Sequence, residues 1–185
     1  MKQNDIFCIM KQMSSKTQED NSKLYIEQAL FKLMQKIEFE KITVTDIVGK
    51  AGVGRATFYR HFKSKENILI YYLERKSKEF MIEQRFFPRC KEDYIKTVEK
   101  VLTMFRENKD TFLIIRKARL EYVYLDYLNK NLVILFENDY PQKHSYVPFI
   151  YAGMLFNVSM IWLGNDCRES IQELAKIIVE AIYIE

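Results

Sequence analysis

Apolar residues recur at helical spacing along most of the chain, and few segments alternate as strands do. The first 20 or so residues lack a period and read as a loose arm. Asn21 or Ser22 offers an N-cap for a first amphipathic helix. That helix carries Ile26, Ala29, Leu30, Leu33 and Ile37 and ends near Lys36. A second helix starts at Thr43-Val44-Thr45-Asp46, where Thr43 and Asp46 have capping-box spacing, with Asp in the place more often taken by Glu or Gln. Gly52 stops it. A third runs from about Gly54 to His61. Ser64-Lys65-Glu66 caps a fourth, whose stripe is Ile68, Leu69, Tyr72, Leu73 and Phe80; around Phe87-Pro88 the pattern breaks.

The remainder is helical too. Tyr94, Val98, Val101, Leu102 and Phe105 form one stripe. Phe112 to Ala118 is a short segment, and Leu125, Leu128, Leu132, Leu135 and Phe136 mark a longer helix. Asp139 to Pro148, with Pro141 inside it, is the clearest loop. Helices over about 147–164 and 168–184 follow, the last with Ile171, Leu174, Ala175, Ile178, Val179 and Ile182 on one face. The expected fold is all-α, with a flexible arm at 1–20, a three-helix helix-turn-helix domain at 21–68 and a helical bundle domain at 69–185. Only 5 Gly and 3 Pro in 185 residues support this, because an all-β fold needs turn residues far more often.

Charge changes the picture once it is located. The net charge of +4 lies wholly in residues 1–70, which hold 12 Lys and Arg against 8 Asp and Glu; residues 71–185 balance at 17 each. Six bases (Lys41, Lys50, Arg55, Arg60, Lys63, Lys65) fall in 41–66 against Asp46 and Glu66. A basic segment on a near-neutral body is the layout of a nucleic-acid contact, although a solvated surface produces it as well.

That same segment has helix-turn-helix form: two short helices joined by Ala51-Gly52-Val53. Ile47, Val48, Val53, Phe58 and Phe62 are available to bury the pair. Arg55, Thr57, Tyr59, Arg60 and His61 are left over as polar groups on a helix that fits the major groove. Arg pairs with guanine edges and Thr meets a thymine methyl, whereas Tyr59, Lys63 and Lys65 suit phosphates.

Residues 42–69 closely resemble the TetR/AcrR family, whose signature is matched by Thr43, Asp46, Ile47, Ala51, Gly52, Val53, Thr57, Phe58, Tyr59, His61, Phe62, Ser64, Lys65 and Glu66. The resemblance implies an all-helical second domain that dimerises through its last two helices and often binds a small effector. It also implies a transcriptional regulator on a palindromic operator, a repressor first and an activator as the alternative. By the same resemblance Arg55, Ala56 and Thr57 read bases, while Thr43, Thr45, Tyr59, His61 and Lys65 contact the backbone. Gly54 departs from it, standing where relatives carry a capping Ser or Thr. The run Phe149 to Leu155, with Trp162-Leu163 and Glu169-Ser170, resembles a C-terminal domain type of small regulators of this kind.

Other chemistry finds less support. His61 and His144 have no second ligand at metal spacing, and no Ser-His-Asp set or Gly-rich phosphate loop is present, so neither an enzyme, a metal nor a cofactor is expected. Cys8, Cys90 and Cys167 are scattered, which suits a reducing, cytoplasmic compartment. No leader is read in the first 19 residues. Ser145 to Asn165 is free of charge over 21 residues, near the length of a membrane span, but Pro148, Asn157 and Ser159 and the lack of flanking bases favour a buried helix. The expected partners are double-stranded operator DNA, a second copy of the chain and a small-molecule effector, with no membrane. Phe105, Tyr122, Met154 and Trp162 are candidates for an effector pocket. Gly153, Asn157, Leu174, Ile178 and Ile182 are candidates for the dimer seam.

Overall fold

The computed structural model describes residues 21–82, 90–139 and 145–182. Outside them lie the arm expected over 1–20, Cys8, the break at Phe87-Pro88, Pro141 and His144; the side chains of Phe80, Leu135 and Phe136 are likewise undescribed. Every regular element among the described residues is helical. The chain divides into two compact units, with the division between Tyr72 and Leu73.

The first unit contains α1 (21–34), a 3-10 turn (Phe39–Lys41), α2 (Val44–Ala51), α3 (Arg55–His61) and the first turns of α4 (Glu66–Ile82). Ile26, Ala29 and Leu30 of α1 are buried, and Met34 completes the stripe. The expectation of Leu33 and Ile37 there is corrected: Leu33 is half-buried and Ile37 is exposed, because the helix stops at 34. The chain instead buries Phe39 and Ile42 through the 3-10 turn. Around them close Ile47, Val48, Phe58, Phe62, Ile68, Leu69 and Tyr72. Full burial of a side chain such as Phe58 contributes about 1.5–3 kcal/mol, so this small core rests on few residues.

The second unit holds the rest of α4 with α5 (Lys91–Glu107), α6 (Lys109–Lys117), α7 (Glu121–Asp139), α8 (Val147–Gly164) and α9 (Ile171–Ile182). α9 packs chiefly on α5 and α7 chiefly on α8. Val98, Leu102 and Phe105 of α5 are buried, as are Ile171, Leu174, Ala175, Ile178 and Val179 of α9. Phe105, Phe112 and Tyr124 form an aromatic cluster with ring centroids 4.7–5.6 Å apart. Pro148, expected in the loop, stands in the first turn of α8, where its missing N–H forfeits no helical bond.

α9 begins later than the expected residue 168. Asp166 and Cys167 take left-handed backbone (φ 62° and 53°), so the chain is still turning there, and Ser170 then caps α9 by accepting from the Glu173 N–H at 3.1 Å. The indole of Trp162 donates to the Glu169 carbonyl at 3.0 Å and closes this corner. Lys109 pairs with Asp166 across it.

Candidate nucleic-acid interface

The spacing of Thr43 and Asp46 gives a complete capping box at the start of α2. Thr43 Oγ1 accepts from the Asp46 N–H at 3.2 Å, and the Asp46 carboxylate accepts from the Thr43 N–H at 2.8 Å. The same carboxylate accepts from the Thr43 hydroxyl at 2.6 Å, and these bonds hold the Asp46 carboxyl below the usual carboxylate range. At the other end Gly52 ends the helix in left-handed backbone, φ 68° and ψ 31°. A side chain there would meet no atom within 4 Å, so glycine is required by conformation and not by space.

α3 follows from Gly54, which caps it without a side-chain bond. Phe58 is wholly buried and Phe62 nearly so, which roots the helix on one side. On the opposite face Arg55, Ala56, Tyr59, Arg60 and Lys63 are exposed, Tyr59 at 61%. The first four, at i, i+1, i+4 and i+5, share one side of α3, and Lys63 follows just beyond its end. Thr57 and His61 flank it half-buried, with the His61 ring against Phe62.

Three polar residues of the segment are engaged within the protein. Arg55 donates from its guanidinium to Thr45 Oγ1, joining the first turns of α2 and α3. Thr43, expected at a phosphate, donates its hydroxyl to the Asp46 carboxylate in this structure and caps α2. Lys65, expected at a phosphate, is engaged by the chain itself in this structure. Its ammonium donates to the carbonyls of Phe39, Glu40 and Ile42, the last two at 3.2 and 3.0 Å, and sits 4.3 Å from the centre of the Phe39 ring. Sequence spacing carried no sign of this, because Lys65 and its acceptors are more than twenty residues apart.

Residues 26–72 match the family model described as bacterial regulatory proteins, tetR family. In this segment the chain is similar to the TetR family. Among curated relatives, the HTH-type transcriptional regulator SAB2452 of Staphylococcus aureus is 33% identical over 69 residues, which is 37% of this chain and 36% of that one. The chain thus spans about a third of the length of that relative. Two solved structures share the fold. Lin0861 from Listeria innocua superposes with a TM-score of 0.76 at 19% identity, covering 89% of this chain and 91% of that one. A TetR transcriptional regulator from Streptococcus agalactiae gives 0.64 at 20% identity, covering 93% and 99%.

In the second unit a cavity of about 340 Å³ opens among α4, α5, α6, α7 and α8. Its walls are mostly apolar, including Met104, Phe112, Tyr124 and Leu155. Its polar groups come from α4 and α7: Lys76, Ser77, Tyr127 and Asn131. Burial pushes the Tyr127 phenol up, against the opposing effect of its hydrogen bond to Ser77, so it is a neutral donor at pH 7. None of the four expected pocket residues lines this cavity. Phe105 stands behind the wall against Phe112 and Tyr124, Tyr122 is exposed, Met154 is half-buried, and Trp162 is turned to the α8–α9 corner. Residue type alone could not separate the aromatic residues of the core from those of a cavity wall.

The seam residues also divide. Leu174 and Ile178 are buried in their own protomer, Ile178 to 3% exposure, and that placement corrects their assignment to a face between protomers. Gly153 and Ile182 are half-buried and Asn157 is exposed. Beside Asn157 on the same helical side of α8, Ile150 and Ile161 are left exposed, and Ile177 is exposed on α9. By length and composition α8 could cross a membrane, but Ala152, Ser159, Met160, Trp162 and Leu163 are buried against the unit.

Proposed function

We propose that this chain is a sequence-specific DNA-binding regulator of transcription, a cytoplasmic repressor that holds a palindromic operator as a homodimer and is released by a small molecule. The observation that carries this reading is the exposed face of α3, where Arg55, Ala56, Tyr59 and Arg60 project from a helix rooted by Phe58 and Phe62, with exposed Lys63 just beyond its end. Arg55 and Ala56, with half-buried Thr57, serve as base readers; Tyr59, Arg60 and Lys63, with Thr45 and His61 beside them, serve the phosphates. A two-fold protein implies two half-sites about one helical turn or a multiple apart. The outer side of α8, with Ile150, Asn157 and Ile161, is the surface on which two copies meet, since a charge-free stripe of this kind is poorly tolerated in water.

The effector occupies the cavity of the second unit, whose volume stands at the small end of the roughly 300–1,000 Å³ common for ligand sites. Its lining favours a compact apolar molecule with one hydrogen-bonding end held at Ser77 and Tyr127. Selection of bound duplexes from a random pool tests the DNA reading, and a palindromic preference is expected. Recovery of no preferred sequence by the intact protein would refute it. Binding of 8-anilino-1-naphthalenesulfonate, an anionic aromatic probe, tests the cavity: Leu155→Trp should fill it and abolish probe fluorescence while leaving operator affinity in place.

A further inference from the structure

We infer that the cavity of the second unit takes a small carboxylate with an apolar body, its charge met at the mouth by Lys76 and its body laid against Phe112 and Tyr124. This rests on the effector reading of the cavity above and names the chemical class of the molecule that fills it.

The lining changes character along two of its walls. On α4, buried Leu73 gives way within about a turn to half-buried Lys76 and Ser77. On α7, buried Tyr124 gives way to half-buried Tyr127 and then to exposed Asn131. The hydrogen bond between Ser77 and Tyr127 brings these two polar ends together. Phe112, wholly buried, stands in the apolar part with Val101, Met104 and Leu155. The cavity thus has an apolar floor and a polar mouth, the form of a site for a molecule with one polar end.

Charge decides the sign of that end. Among the described lining residues Lys76 carries the one formal charge, and no Asp or Glu stands with it. Glu74, on the same helix, is exposed and outside the lining. A cation entering the cavity would meet a like charge and no carboxylate. An anion meets its opposite beside apolar walls, where the attraction exceeds that in water. The ammonium has three N–H donors, enough to serve a ligand beside neighbours of its own. Tyr127 adds a neutral phenol, because burial pushes its titration up. With Ser77 donating to the phenol oxygen, the phenol hydrogen remains for the ligand. Ammonium and phenol together match the two oxygens and single charge of a carboxylate. A phosphate brings more charge and a third acceptor oxygen, and would be left short of partners.

Three probes with one apolar body and different heads separate charge from hydrophobicity: octanoate, octanol and octylammonium. Each is titrated calorimetrically at pH 7 into the intact chain, Lys76→Met and Leu155→Trp, with thermal melts to follow folding. Octanoate is expected to bind the intact chain about tenfold more tightly than octanol, as a charge-assisted bond gives, and octylammonium more weakly than either. Lys76→Met should bring octanoate down to the affinity of octanol, and Leu155→Trp should exclude all three. Octanol or octylammonium binding as tightly as octanoate overturns the proposal. So does an octanoate preference that survives Lys76→Met or Leu155→Trp. If Lys76→Met gives no cooperative melt, the ranking on the intact chain decides alone. Suppose none of the three binds, while 8-anilino-1-naphthalenesulfonate fluoresces with the intact chain and not with Leu155→Trp. The carboxylate is then overturned and the cavity reading stands. Fluorescence that Leu155→Trp leaves unchanged removes the cavity reading itself, and the carboxylate with it.

Discussion

The guanidinium of Arg55 donates to the hydroxyl oxygen of Thr45, ten residues earlier and in the first turn of the other helix of the pair. One donor of the fork is thereby committed, and the side chain is held before it meets any partner. Thr45→Val keeps the shape and removes the acceptor. It should broaden base preference at the Arg55 position without deleting it. Arg55→Ala should erase that preference, at about 1–3 kcal/mol per half-site. In a double-mutant cycle the two changes should be non-additive. Additive effects would show that Thr45 meets DNA independently of Arg55.

Acid should loosen the same region. The Thr43 hydroxyl and N–H hold the Asp46 carboxyl below its ordinary value. A depressed folded-state pKa contributes stability that is present above the unfolded value of about 3.9 and is lost as pH falls through it toward the folded value. Asp166, lowered by Lys109, and Glu38, lowered by Lys41, act in the same direction. Urea melts of the intact chain and of Asp46→Asn should therefore differ at pH 7 and draw together as pH falls below about 3.9. A constant difference across that range would exclude the carboxylate as the source.

Two glycines two residues apart should respond with opposite signs. Gly52 has φ 68° with open space around it, so Gly52→Ala costs only backbone strain, about 1–2 kcal/mol. Gly54 caps α3 from extended backbone without a side-chain bond and also has room, so Gly54→Ser should stabilise by a few tenths of a kcal/mol. Thermal melts of the two variants read both signs, and a destabilising Gly54→Ser would mean that the added hydroxyl finds no α3 N–H.

Two isoleucines of the C-terminal helices separate folding from association. Ile178 lies in the core of its own protomer, so Ile178→Asp places an uncompensated charge there and should unfold the second unit, at a cost of several kcal/mol. Ile161 is 59% exposed, so Ile161→Asp should leave the protomer folded and split the dimer. Sedimentation with circular dichroism distinguishes them. A dimeric Ile161→Asp variant would place the seam elsewhere.

What was legible in the sequence was local. Thr43 and Asp46 sit three apart and form the box that their spacing predicts; Gly52 stops α2; most of the periodic apolar residues of α5 and α9 are buried, with Tyr94, Val101 and Ile182 half-buried. Where a side chain's fate depends on distant chain, spacing said little. Lys65 reads as a free base in a basic segment, and only the approach of the Phe39–Ile42 turn reveals its acceptors. Likewise the α9 stripe is visible as a stripe, yet whether it faces α5 or a second protomer is a matter of packing. The cavity is least legible of all, since Leu155, Phe112 and Tyr127 line it from three different helices.

The corner between α8 and α9 is closed by Trp162, the single tryptophan of the chain, buried and with its indole N–H on the Glu169 carbonyl. Light absorbed at the red edge of the protein's spectrum is therefore taken up and re-emitted at one address in the second unit. A shift in that emission reports the loosening of this corner without any added label. The helices that would hold DNA are dark at that wavelength, so the two units can be followed apart in one sample.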